Sequence, residues 1–225
     1  MDSIAVWGDS IARGVVYDEQ RGRHTLLKEG GFALAAKEAG LLLNSYARFG
    51  STVQKGLETV KRSLERGEKS KTAILEFGGN DSDFDWAQVA KSPEKEHLPF
   101  TPAPLFESVY RNMIELVREK GIRPMLMNLP PVDAGRYLSF ITRAGLSAQS
   151  ILRWLGDVEV IHRFQEGYSA MIGKIAREEG CPLIDVRSAF EALEWKKLLC
   201  ADGIHPNAEG QRVIGLVLTD ALKRG

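Results

Sequence analysis

The sequence predicts an α/β fold, a three-layer α/β/α sandwich around a parallel sheet of about five strands, and two observations predict it. Five short β-rich runs, at residues 3–7, 41–46, 72–77, 122–128 and 182–186, recur at intervals wide enough to hold a crossover helix. Several of the intervals contain apolar stripes at helical spacing. Near-continuous apolar strands need cover on both sheet faces, and parallel neighbours need crossovers, so the alternation of the two patterns specifies the layers.

The elements follow in order. The first run leads into Gly8, and the second follows Gly40, where a preceding helix should stop. Val53, Leu57, Val60 and Leu64 form the first clear stripe, ahead of the third run. Phe106, Val109, Met113, Leu116 and Val117 form the next, closed by Gly121 before the fourth run. Ile161, Phe164, Tyr168, Met171 and Ile175 precede Gly180 and the fifth run, and Phe164 and Tyr168 are read as plain core packing. Val213, Ile214, Val217, Leu218 and Leu222 mark a last helix, with Pro206 expected in its first turn. Two stretches, near 82–104 and 130–157, exceed ordinary connection lengths and are expected to be loop insertions bordering the active edge. No shift in composition marks a boundary, so residues 1–225 read as one domain.

Composition narrows the classes of partner. Thirty Lys and Arg balance thirty Asp and Glu, which leaves no basic field to displace counterions from nucleic acid or to hold an anionic membrane surface. No apolar run approaches the roughly 20 residues that span a bilayer, and residues 4–7 are too short for a signal-peptide core, so a cytoplasmic location is expected. Cys181 and Cys200 have neither metal spacing nor a disulfide framework and are expected to be buried thiols. Neither a metal site nor a cofactor is suggested, and the oligomeric state stays open.

Ligands of open α/β sheets bind beyond the carboxyl ends of the strands, near the point where strand order reverses. Gly8-Asp9-Ser10 follows the first run, Gly50-Ser51-Thr52 the second and Gly78-Gly79-Asn80-Asp81 the third. Asp202-Gly203-Ile204-His205-Pro206 lies beyond the fifth, where it can return to the same edge. A serine hydroxyl needs a base within hydrogen-bond reach, and that base needs an acceptor on its other nitrogen. Ser10, His205 and Asp202 can fill those catalytic roles, with the backbone N–H groups of Ser10 and Gly50 and the Asn80 amide as oxyanion-hole donors. The competing reading is a non-catalytic module whose glycine-rich loops cradle a phosphate or nucleotide, although neither G-x-G-x-x-G nor Walker spacing follows the first run.

Four blocks, GDSIARG from Gly8, FGSTVQKG from Phe49, FGGND from Phe77 and DGIHPN from Asp202, resemble the SGNH hydrolases, the GDSL family of esterases and lipases. The resemblance implies a flavodoxin-like sandwich, no cofactor, and hydrolysis of a small-molecule ester through an acyl-serine intermediate. It assigns Ser10 as nucleophile, His205 as base, Asp202 as its partner, and Gly50 and Asn80 as oxyanion donors. Ile11 stands where the family name has leucine, and Ala12-Arg13 depart from the usual pattern, which bears on substrate rather than mechanism. With neither a long apolar lid helix nor a secretion signal, short acyl groups are expected, acetyl above all, on a carbohydrate or small metabolite. Thioesterase and lysophospholipase activities are the alternatives within the family.

Arg13, Arg48, Asp83, Trp86 and His97 are candidate substrate contacts. Arg48 either attracts an anionic substrate or pairs with an acid, and His97 sits with Asp83, Trp86 and Phe100 on a stretch that could close over the site. Asp9 and Asp81 are expected to brace their loops, and His162 to lie at the surface or its boundary.

Overall fold

The computed structural model describes residues 2–224. Its central sheet contains β1 (Ser3–Gly8), β4 (Leu42–Ser45), β5 (Thr72–Glu76), β6 (Arg123–Met127) and β7 (Leu183–Ile184). Their order is β4-β1-β5-β6-β7 and all pairs are parallel. Strand order therefore reverses at β1, and the crevice between the ends of β1 and β5 is where a ligand site is expected. A separate antiparallel hairpin, β2 (Val15–Asp18) and β3 (Arg23–Leu26), follows the first strand and was not foreseen from the sequence.

Successive side chains on a strand face opposite ways, and β1 divides its residues between two cores. Ala5 and Trp7 pack with α2 (Val53–Glu65), α4 (Ala103–Glu119) and α7 (Val160–Glu178). Ile4 and Val6 pack with α1 (Gly31–Glu38), α8 (Val186–Glu191) and α9 (Ala208–Arg224). Trp7 is wholly buried and its indole N–H donates to Ser63 Oγ at 2.9 Å, so the ring adds apolar burial with no orphaned donor. Large side chains buried this completely each contribute about 1.5–3 kcal/mol.

Three expectations change. The stretches near 82–104 and 130–157 are not bare loops: they hold α3 (Trp86–Lys91), α5 (Ala134–Thr142) and α6 (Ala148–Leu155), whose apolar faces join Phe84 and Ile161 in a third, smaller cluster. Asp85, Asp133 and Ser147 cap these helices by accepting Gln88, Arg136 and Ser150 N–H, signals weaker than the prolines around them. The fifth strand shrinks to two residues because Asp185 accepts the Ser188 N–H and starts α8 at once. Pro206 lies just outside α9, and Asn207 caps it instead, Oδ1 accepting the N–H groups of Glu209 and Gly210 at 3.0 Å each.

α1 and α9 lie close because Gly31 has no side chain. A Cβ there would stand 2.5 Å from the Gln211 backbone oxygen and 3.0 Å from the Gly215 nitrogen. Gln211 fixes the contact further: Oε1 accepts the Gly31 N–H at 2.8 Å, and Nε2 donates to Ile11 O at 3.1 Å, beside the loop that follows β1. Gly31→Ala is expected to destabilise the fold by about 1–3 kcal/mol through overpacking against backbone, despite alanine's better helix propensity. Urea denaturation checks this, and unchanged stability would contradict the close-packing account.

Candidate active site

The loop after β1 is tied down from beneath. The register pairs Gly8 with Glu76, and Glu76 Oε2 accepts the N–H groups of Asp9 (3.1 Å) and Ala12 (3.3 Å). A Cβ at position 8 would lie 2.7 Å from Ala12 Cβ and 2.8 Å from this oxygen, so only glycine admits the arrangement. Asp9 Oδ1 accepts the Ile11 N–H at 2.9 Å, and Asp9 Oδ2 accepts from Asn80 Nδ2 at 2.9 Å. Glu76 is fully buried, and burial together with the charge of Asp9 pushes its carboxyl well above the usual range. Burial raises Asp9 as well, though less, so of the two Glu76 holds a proton more readily.

Ser10 sits at the top of this loop. His205 Nε2 lies 2.9 Å from Ser10 Oγ, and His205 Nδ1 lies 2.6 Å from Asp202 Oδ2. The other Asp202 oxygen accepts the backbone N–H groups of Ile204 (3.2 Å) and His205 (3.1 Å). Burial opposes the Asp202 charge, yet the hydrogen bond and charge of His205 and these backbone donors hold its carboxyl below the ordinary range. An ionised Asp202 can only accept, which assigns the proton to Nδ1 and leaves the Nε2 lone pair facing the serine hydroxyl. Gly203 makes the turn possible: its φ is +79°, and a Cβ there would stand 2.6 Å from Asp133 O at the start of α5.

The hairpin adds a group that sequence reasoning passed over. His24, on β3, places Nε2 3.1 Å from Asp202 Oδ2, so one carboxylate oxygen serves two histidines. Its ring meets His205 edge-on at 4.7 Å and lies against Tyr17, Phe49 and Phe140. Burial lowers its basicity, and the charges of His205 and Arg143 add to this against the pull of Asp202. Neutral His24 is a donor to Asp202. The only sequence signal was a histidine in a short run after the first strand. His24, Asp202 and His205 do bring three donor atoms within 4.8 Å, but both rings address the same oxygen, which makes a hydrogen-bonded chain rather than an open cage for a metal.

The oxyanion candidates are arranged less simply. Neither the Ser10 nor the Gly50 N–H has an acceptor among the described residues, so both are available. What requires glycine at 50 is its φ of +66°, because a Cβ there would meet only open space. Asn80 is not a free donor: its amide gives one hydrogen bond to Asp9 and another, at 3.2 Å, to Ser51 O. Asp81 holds the same corner by accepting the Val53 N–H on both oxygens (2.9 and 3.1 Å), and burial pushes it up to about 6.

A cavity of about 240 Å³ opens from Ser10, Asn80 and His205. Asp83, Phe84, Trp86, Tyr137, Phe140 and Phe164 line it, so Asp83 and Trp86 stand where expected, and Phe164 is cavity wall, not buried core. The other proposed contacts do not. Arg13 is exposed away from the cavity, and Arg48 borders a separate cleft with Arg62, Arg66 and Glu68, without an ion pair among the described residues. His97 is turned onto Ser92 O (2.9 Å) and packs edge-on against Trp154. Ile11 and Phe49, near Arg13 and Arg48 in sequence, reach the cavity, but these two arginines and His97 do not line it. His162 Nδ1 donates to Val132 O (2.9 Å) beside the insertion, and Cys200 is a buried thiol pushed up to about 11 by its surroundings, burial first.

Three relatives bear on the reading. The GDSL esterase/lipase CPRD49 of Arabidopsis thaliana is 24% identical over 183 residues, 80% of this chain and 64% of that protein, so the chain spans less than two thirds of that relative's length. The crystal structure of a member of the lipolytic G-D-S-L family from Veillonella parvula superposes with a TM-score of 0.68 at 17% identity, covering all of both chains. An acetyl xylan esterase, AlAXEase, superposes with a TM-score of 0.65 at 19% identity over 97% of this chain and 98% of that one. At such identities the two structures establish the shared fold alone. Residues 6–213 match the GDSL-like Lipase/Acylhydrolase family over a span that contains Ser10, Gly50, Asn80, Asp202 and His205. On that match the chain belongs to the GDSL-like lipase/acylhydrolase family.

Proposed function

We propose that the chain hydrolyses carboxylic esters of small molecules through an acyl-serine intermediate. The observation that carries this reading is the unbroken chain from Ser10 Oγ to His205 Nε2 (2.9 Å) and from His205 Nδ1 to Asp202 Oδ2 (2.6 Å). His205 takes the Ser10 proton as Oγ adds to the ester carbonyl, and ionised Asp202 steadies the imidazolium formed. The tetrahedral oxyanion meets the N–H groups of Ser10 and Gly50, and Asn80 joins them by giving up its bond to Ser51 O. His205 then protonates the departing alcohol, and the same nitrogen activates water to release the acid.

The acyl group in this reading is short, acetyl above all, and the aromatic cavity receives the other arm. At roughly 30 Å³ for each water-sized group the cavity holds on the order of eight non-hydrogen atoms, far more than an acetyl group needs. Walls of Phe84, Trp86, Phe140 and Phe164 offer few partners to sugar hydroxyls, so a small, largely apolar alcohol is the better fit than a carbohydrate. A thioester would use the same machinery. A phosphate cradle is disfavoured, because no Lys or Arg lines the cavity and the β1 loop is built on two carboxyl groups. A cytoplasmic location belongs with this reading of a small metabolite ester.

Ser10→Ala is expected to lower kcat on p-nitrophenyl acetate by at least ~10⁴-fold and to abolish labelling by a fluorophosphonate. Undiminished turnover in the variant would sink the assignment. The pH profile tests the second histidine. Neutral His24 draws on the Asp202 charge that steadies the imidazolium, and His24 protonated at acid pH repels it, so both effects favour neutral His205. Removing the ring removes both, and His24→Phe is expected to move the acid limb of kcat/KM to higher pH, with His24→Gln, which can still donate to Asp202, moving it less. An unmoved limb in His24→Phe would show that the contact has no effect on the base.

A further inference from the structure

Asp83 takes no part in the steps proposed above and braces none of the three loops that carry Ser10, Gly50 and Asn80. Asp83 lines the cavity, remains partly accessible there, and forms no ion pair among the described residues. Its Oδ1 accepts the Trp86 indole N–H at 2.7 Å and its Oδ2 accepts the Tyr137 hydroxyl at 2.5 Å. With the indole donating to one oxygen and the hydroxyl to the other, both oxygens are acceptors, the role of an ionised carboxylate. Burial pushes Asp83 up from its ordinary range, and the hydrogen bonds it accepts, that of Tyr137 first, oppose that push. A tyrosine held well above its own range by burial and by the Asp83 charge keeps its proton and stays a donor.

The charge therefore stands in a largely apolar cavity with neutral donors and no Lys or Arg in its lining. Around it are the rings of Phe84, Trp86, Tyr137, Phe140 and Phe164, whose faces carry negative potential and attract a cation within about 6 Å of the centroid. One of these rings already holds a cation on its outer side: the Arg143 guanidinium lies 3.6 Å from the Phe140 centroid, outside the cavity lining. A strongly hydrated primary ammonium gains little from such walls, whereas an alkylated one presents methyl groups to the rings and charge to the carboxylate. We infer that the cavity is a binding site for a small tertiary or quaternary ammonium group carried on the alcohol arm of the ester. This rests on the hydrolase reading above and narrows its substrate class to amino-alcohol esters, opposite in charge to the anionic substrate weighed for Arg48. A group of choline's size, seven non-hydrogen atoms, lies within the order of eight that the cavity holds.

The test compares cation with uncharged isostere on the intact protein. Choline and neohexanol, which has carbon in place of nitrogen, are titrated by quenching of tryptophan fluorescence, and acetylcholine and neohexyl acetate are compared as substrates. Choline is expected to bind at least ~10-fold more tightly, and acetylcholine to show a correspondingly lower KM, with both preferences falling to about 2-fold or less in Asp83→Asn. Neohexanol binding as tightly as choline to the unmodified protein would overturn the inference, and this comparison stands whether or not the variant folds. Equal turnover of the two esters would likewise remove the ammonium site and leave the hydrolase intact. Tight choline binding with neither ester cleaved would keep the ammonium site and remove the hydrolase reading.

Discussion

The active edge depends on two carboxyl groups stacked beneath the Ser10 loop. Glu76, brought there by the β1–β5 register, accepts the N–H groups of Asp9 and Ala12, and Asp9 in turn accepts from Ile11 and Asn80. Two like charges this deep would repel and resist desolvation, so burial raises both carboxyls, and it raises Glu76, which also feels the Asp9 charge, the further. Protonated, Glu76 keeps acceptor capacity without adding a second charge. From this pair the order spreads outward: Asn80 is held against Ser51 O, and its neighbour Asp81 accepts the first N–H of α2. Three loops from three strands are thereby fixed to one another before any substrate arrives, the preorganisation that makes an oxyanion site effective.

The other side of the site is organised by Asp202. It accepts two backbone N–H groups on one oxygen and two imidazoles on the other, so its orientation is overdetermined. Hydrogen bonds to charged groups contribute about 1.5–3 kcal/mol each, which compensates for burying the carboxylate completely. The donors come from distant parts of the chain. His205 is three residues away, while His24 arrives on the β2–β3 hairpin, and the same loop is propped by Asp133 N–H on Gly203 O at 2.8 Å. The insertions thus shape the cavity wall and brace the base.

Legibility in the sequence followed the range of the interaction. All five sheet strands and the long helices α2, α4, α7 and α9 were readable, because period-2 and period-3.6 patterns are local consequences of burial. The short helices α3, α5 and α6 were not, since each has two turns or so and is held by packing in the third cluster rather than by a long stripe. Ser10, Asp202 and His205 were singled out by loop position and spacing, and the structure places His205 within hydrogen-bond distance of the other two. Arg13, Arg48 and His97 were chosen by nearness in sequence to the site, and nearness along the chain says little about where a side chain points.

By itself, the sequence determined the layered α/β architecture, the edge that holds the loops, and the residues with the right chemistry at that edge, because each is written in patterns a few residues long. Only the tertiary structure decided the rest. That Glu76 meets the loop of Asp9, that Asn80 is already engaged, that a second histidine reaches Asp202, and that Tyr137 reaches Asp83 in the cavity are all relations between residues far apart in the chain. Burial and long-range pairing set those relations, and neither exists until the sheet has assembled.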